Sequence, residues 1–319
     1  LHGRGERDEQ ASSGKALVQK TGVNQGVPIT YYNLFISGAP VVIAKTTATT
    51  ADDYLAQAKS SQGKKGREQT VIRLTNQALA LRSSQQGYFL RAYAKNDLKD
   101  YEAAIDDYSK AIYLGKDDFS SYINRGVARY YLEDHRGAIS DYNNALSIDS
   151  NQAIAYINRG GSRMRLGDLQ GAIADSKKAI EINPNYINAY NLRGLAKSEL
   201  KDYQGAIADY NKAIEIDPNY AYAYFNRGII KINLGDYQGA IVDFDQGLLL
   251  DSSNVIAYNN RGIAKDKLGN SQGAITDYNM AIKIDPNYKN SYYNLGIAKS
   301  TSGDYQGAIA DYNKAIEIN

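Results

Sequence analysis

A fifteen-residue string, DYQGAIADYNKAIEI, occurs at residues 202–216 and again, unchanged, at residues 304–318. The copies lie 102 residues apart, three steps of 34, and a looser copy, GDYQGAIVDFDQGLL at 235–249, places Asp236 one such step from Asp202. A fixed period of this size means an array. Each unit carries an apolar face that only its neighbour can cover, so the core grows in one dimension. That lifts the size limit which would otherwise split 319 residues into two globular cores.

Stacking the chain at 34 residues gives seven units: 85–118, 119–152, 153–186, 187–220, 221–254, 255–288 and 289–319, the last three residues short. Columns are named by their member in the fourth unit. The Tyr190 column is Tyr in all seven, the Ala206 column is Ala in all seven, and the Gly194 column is Gly except for Ala92. Tyr190 and Gly194, four apart, share one face of a first helix. Ala206, Tyr210 and Ala213, spaced by four and three, mark the inner face of a second. The Asp202 column is Asp except for Asn270 and stands where the second helix starts, so its side-chain oxygen can cap free backbone N–H groups. The Glu or Gln of a capping box is missing; Gly205 occupies that place. Pro184, Pro218 and Pro286 fall in one column between units, where proline ends one helix and permits the next.

On these residues the chain resembles the tetratricopeptide-repeat family, of a type common in bacteria, over residues 85–319. The resemblance implies an all-α fold: a right-handed superhelical solenoid of antiparallel helix pairs, with first helices lining a concave groove and second helices the convex side. It also implies a non-enzymatic interaction scaffold, an assembly or adaptor factor that binds a partner peptide or helix along that groove.

Residues 51–84 keep the register at Tyr54 and Ala58 and then slip by one, as one extra residue in the turn would cause. They read as a degenerate capping helix pair. Residues 1–50 read as a disordered tail, rich in Gly, Ser, Gln and charge over its first 30 positions. Ile29 to Ala44 is apolar enough for the core of a secretory signal, with Val42-Ile43-Ala44 as a cleavage site, although no basic region adjoins it. The expectation is export to a periplasm or lumen if 29–44 is a signal, and a cytoplasmic protein otherwise; a tail docked on the first helices is the other reading.

Three charged columns depart from the family pattern. The Arg193 column (Arg91, Arg125, Arg159, Arg193, Arg227, Arg261, then Leu295) stands where the family usually has an apolar residue. Four residues on, every unit is basic, and on the second helix the Asp209 column is Asp throughout. The expectation is a set of structural ion pairs joining Arg125, Arg159, Arg193, Arg227 and Arg261 to Asp141, Asp175, Asp209, Asp243 and Asp277, within a unit or across a joint. The competing reading is an open basic ribbon for nucleic-acid phosphate, which the acidic column at the same period would largely neutralise. A formal charge of +2, from 37 basic and 35 acidic side chains, gives no long-range field for a polyanion.

A further column is Asn124, Asn158, Asn226, Asn260 and Asn294, broken by Leu90 and Leu192. A carboxamide both donates and accepts, so one per repeat can follow a peptide backbone; in some family members Asn at the matching place does so. The alternative is that each Asn bonds the neighbouring helix. Ile123, Tyr130, Ile157, Phe225, Ile229 and Tyr293 are the expected apolar anchors beside this ladder.

No chemistry competes with this reading. There is no cysteine, and the two histidines, His2 and His135, are far apart. No metal-ligand spacing is present, and GKKG at 63–66 lacks the Lys-Ser/Thr and the preceding strand of a phosphate loop. No catalytic residue, cofactor or small-molecule substrate is expected. The partner is a protein or peptide, and no transmembrane segment is expected. The second reading is a structural subunit that self-associates through the uncovered residues Ala308, Ile309, Tyr312 and Ile316.

Overall fold

The computed structural model describes residues 50–115 and 118–318. The tail, the signal-like segment and its cleavage site therefore lie outside the described residues. Among the described residues sixteen α-helices follow one another: α1 Ala51–Ser61, α2 Glu68–Leu81, α3 Gln85–Asp97, α4 Tyr101–Leu114, α5 Phe119–Tyr131, α6 His135–Ile148, α7 Ala153–Arg165, α8 Leu169–Ile182, α9 Ile187–Glu199, α10 Tyr203–Ile216, α11 Ala221–Asn233, α12 Tyr237–Leu250, α13 Val255–Lys267, α14 Ser271–Ile284, α15 Lys289–Thr301 and α16 Tyr305–Glu317. No strand occurs among the described residues, and none of these helices is long and apolar enough to cross a membrane.

Each odd-numbered helix packs on the even-numbered helix that follows it, and each even-numbered helix packs on the next odd one. Successive odd-numbered helices also meet, whereas successive even-numbered helices do not. The odd-numbered helices therefore line the inner side of the stack and the even-numbered ones form its outer side. The fold is an all-α solenoid. α2 begins at Glu68, one residue later than the phase of the other even-numbered helices.

Small residues set the distance within a pair. Ala206 and Ala213 are fully buried, and Tyr210 lies between them at 1 % exposure. A Cβ on Gly194 would stand 2.8 Å from the Tyr210 ring; Gly126, Gly262 and Gly296 meet Tyr142, Tyr278 and Tyr312 in the same way. In five units the glycine lets an aromatic ring lie against the first helix; in the third unit Leu192 lies there instead.

The caps explain why Gly205 replaces the capping-box acid. The Asp202 carboxylate accepts from the Gly205 backbone N–H at 3.0 Å, and a Cβ on Gly205 would sit 2.1 Å from that carboxylate. The one unit with Ala here, Ala103, holds a longer bond of 3.4 Å to Asp100. The turn before each cap requires a left-handed residue: Gly167, Gly235, Gly269 and Gly303 supply it freely, while Lys99, Glu133 and Lys201 adopt it at φ of 63–64°. A side chain pays for that conformation with steric strain of about 1–2 kcal/mol, partly offset by the backbone entropy that glycine loses on folding. Lys201→Gly is therefore expected to stabilise the protein by about 0.5–1 kcal/mol. A thermal or denaturant melt checks it, and a lower midpoint would contradict the strain argument.

Candidate functional site

The charged columns converge on one carboxylate per unit. Arg193 donates to Asp209 through Nε and Nη2, and Lys197 adds its ammonium at 2.8 Å. The same geometry holds for Arg125 and Arg129 on Asp141, Arg159 and Arg163 on Asp175, Arg227 and Lys231 on Asp243, and Arg261 and Lys265 on Asp277. Each pair lies within one unit. The Asp side chains of these five units are at most 4 % exposed. At Asp107, burial pushes the carboxyl up, but hydrogen bonds and charges from Arg91 and Lys95 outweigh it and hold the group below its ordinary value.

The guanidinium also spans the joint between units. Nη1 of Arg125 donates to Ser109, that of Arg159 to Asn143, that of Arg227 to Asn211 and that of Arg261 to Asp245, each on the preceding even-numbered helix. Each guanidinium further lies over the Tyr three residues earlier, as Arg193 does over Tyr190 at 5.5 Å. One planar, five-donor group thus ties three helices, which an apolar residue at this place could not do. The basic columns are spent on this lattice, so neither forms an open ribbon. The fourth unit lacks the cross-joint bond, because Lys177 occupies the acceptor's position. In the seventh unit Leu295 replaces the Arg, and Lys299 alone pairs with Asp311, at 2.7 Å.

The Asn column is not one uniform ladder. Asn226 donates to Asn191 at 3.0 Å and Asn294 to Asn259 at 2.9 Å, in each case across a joint. Asn124 donates to the Ser120 carbonyl of its own helix. Asn158 is only 3 % exposed. Asn260 differs: it is half-buried and makes no side-chain hydrogen bond among the described residues. The residue before it in the preceding unit's register is Phe225, not Asn, so no carboxamide is there to meet it. Asn191 and Asn259 were missed by the sequence reading. Their signal was present as Asn pairs 35 residues apart, 191/226 and 259/294.

The expected apolar anchors divide in the same way. Ile123, Ile157 and Phe225 are 4–5 % exposed and packed into the core, so as partner anchors they are corrected to core packing residues. Phe225 fills the space left by Gly247, the one glycine in the Ala213 column; a Cβ there would stand 2.3 Å from its ring. Tyr130 is likewise buried, its hydroxyl accepting from Arg165 Nε at 3.2 Å and its ring against His135. Ile229 is half-buried, and Tyr293 is open at 56 % exposure. Leu195, Ile263 and Ile297, in the column of Ile229, are also half-buried. No cluster of metal-ligating side chains occurs among the described residues.

Tetratricopeptide-repeat profiles match residues 85–118, 119–152, 221–254, 255–288 and 290–319, and a further profile of the same repeat matches 161–201 and 197–234. The chain belongs to the tetratricopeptide-repeat family. Among solved structures, the Cut9–Hcn1 hetero-tetramer of the APC/C is similar at 17 % identity and a TM-score of 0.61, over 84 % of this chain and 53 % of that one. A tetratricopeptide repeat protein from Parabacteroides merdae is similar at 20 % identity and a TM-score of 0.60, over 74 % of this chain and 93 % of that one. The crystal structure of MamA is similar at 26 % identity, over 50 % of this chain and 93 % of that one, with a TM-score of 0.47. No curated protein matches the sequence. The two larger matches show the solenoid fold of this tetratricopeptide chain and say nothing of its partner.

Proposed function

We propose that this tetratricopeptide chain is a non-enzymatic scaffold that binds a peptide or helix along the inner side of α9, α11, α13 and α15. The observation that carries this is one half-buried aliphatic side chain per repeat, Leu195, Ile229, Ile263 and Ile297, running beside the unpartnered carboxamide of Asn260. Aliphatic anchors give a guest helix or strand a place for its apolar side chains, and Asn260 offers its backbone a donor and an acceptor. Tyr293 extends the same side toward α16.

Asn260 is the discriminating residue, since Asn226 and Asn294 already hold the joints together. In pull-downs, Asn260→Ala with Ile229→Asp is expected to lose the partner, with about tenfold or more weaker binding for a central anchor. Asn226→Ala is expected to lower the melting midpoint instead. Identical captured proteins from the parent and from Asn260→Ala/Ile229→Asp, with both folded by circular dichroism, would overturn the proposal.

A further inference from the structure

The inner side of the solenoid is not one surface. In the Leu195 column the residues are Tyr93, Val127 and Gly161 over α3, α5 and α7, then Leu195, Ile229, Ile263 and Ile297. The last four are half-buried, whereas Val127 is 5 % exposed and Gly161 is buried. Helix arrangement does not explain the contrast, because α5 meets α3, α4, α6 and α7 just as α11 meets α9, α10, α12 and α13. Three aromatic rings mark the same end: Tyr93, Tyr130 and Tyr131 are each the sole aromatic residue of the Leu195, Ser198 and Glu199 columns. One turn on from Tyr93, Asn96 is 4 % exposed, and its Oδ1 accepts no hydrogen bond. A buried acceptor of this kind is costly until an N–H reaches it.

We propose that residues 29–44 of the same chain lie along the inner side of α3, α5 and α7. This segment, ITYYNLFISGAPVVIA, belongs to an uncharged run between Lys20 and Lys45, and it brings Tyr31, Tyr32, Leu34, Phe35 and Ile36 to a wall of Tyr and Val side chains. The linker sets where it lands. Residues 45–50 span at most about 20 Å when extended, two helix spacings of about 8–10 Å, so Ala44 reaches α3 and α5 from the start of α1. With Ala44 over α3, Ser37 stands about 23 Å further along, level with α7. There Gly161 leaves room for a guest side chain, and at α3 a backbone N–H of the segment satisfies Asn96 Oδ1. The inner side is then divided: α3 to α7 hold the chain's own segment, and α9 to α15 stay open for a partner.

The chain has no cysteine, so paired substitutions report the contact cleanly. Ser37→Cys is combined with Met164→Cys on α7 or with Ile232→Cys on α11, two half-buried members of the Ser198 column. Fully stretched, the chain from Ser37 to Ala51 spans about 45–50 Å and reaches both. The expected result is an intrachain disulfide that closes about tenfold or more faster with Met164→Cys. Hydrogen exchange gives a second readout. The amides of 29–44 are expected to be protected in the parent 319-residue protein and to lose that protection in Phe35→Asp/Ile36→Asp, whose changes lie outside the helix pairs. Closure at equal rates, or faster with Ile232→Cys, would overturn the proposal, the latter by placing the segment in the partner's half of the groove. So would unprotected amides in the parent, disulfides between copies in place of intrachain ones, or a mature chain that starts after Ala44, as export with cleavage would leave.

Discussion

Asp209→Ala is expected to destabilise the protein by about 3–5 kcal/mol, more than Arg193→Leu at the other end of the same ion pair. Removing the carboxylate leaves Arg193 and Lys197 facing each other with 18 % and 20 % of their side chains exposed and no anion between them. Removing the guanidinium instead leaves a Lys–Asp pair, and the chain already contains that arrangement where Leu295 stands beside Lys299 and Asp311. The asymmetry is the result to look for. Denaturant melts of the two variants check it, and equal losses would show that the lattice acts through packing rather than charge. The same lattice has a pH signature at Asp107. Its folded value lies below the unfolded one, so its stabilisation is complete above the unfolded carboxylate range and is lost as pH falls through the folded value.

The second large effect concerns the two leucines that interrupt the Asn column. Leu192 is fully buried, and its Cδ2 lies 2.9 Å from where a Cβ on Gly160 would be, the place taken by an aromatic ring in the other glycine-bearing units. That ring is missing from the third unit because Ser176 stands where the others have Tyr or Phe. The other leucine, Leu90, follows Thr75, the counterpart in the α1–α2 pair, and packs among Leu55, Ala58 and Leu74. The column is therefore Leu after a missing ring and Asn after a ring that is present. Leu192→Asn is expected to cost about 2–5 kcal/mol, since it deletes apolar volume and buries a carboxamide beside no ring. Ser176→Tyr is expected to cost about 1–3 kcal/mol by overpacking against Leu192. Combined, the two should recover most of both losses, a coupling that a double-mutant cycle measures. Additive losses would show that the two sites do not share one space.

Much of this protein was legible in the sequence because periodicity carries it. The 34-residue step, the Tyr190, Gly194 and Ala206 columns and the Asp202 caps fix the helix pairs and their order, since each constraint is local or acts between neighbouring units. The pairing of Arg193 with Asp209 was legible too, because charges at the same period on two helices of one unit can hardly avoid each other. The sequence did not reveal which column faces inward and is free. Asn226 and Asn260 are identical in type and register, yet one is tied to Asn191 and the other has Phe225 at the matching position of the preceding unit. Ile123 and Phe225, read as anchors, are consumed in the core. What decides these cases is the residue across the joint, 35 positions away, together with volume left or taken by a single missing methyl or ring. Those are properties of packed neighbours in three dimensions, and only the tertiary structure brings them together.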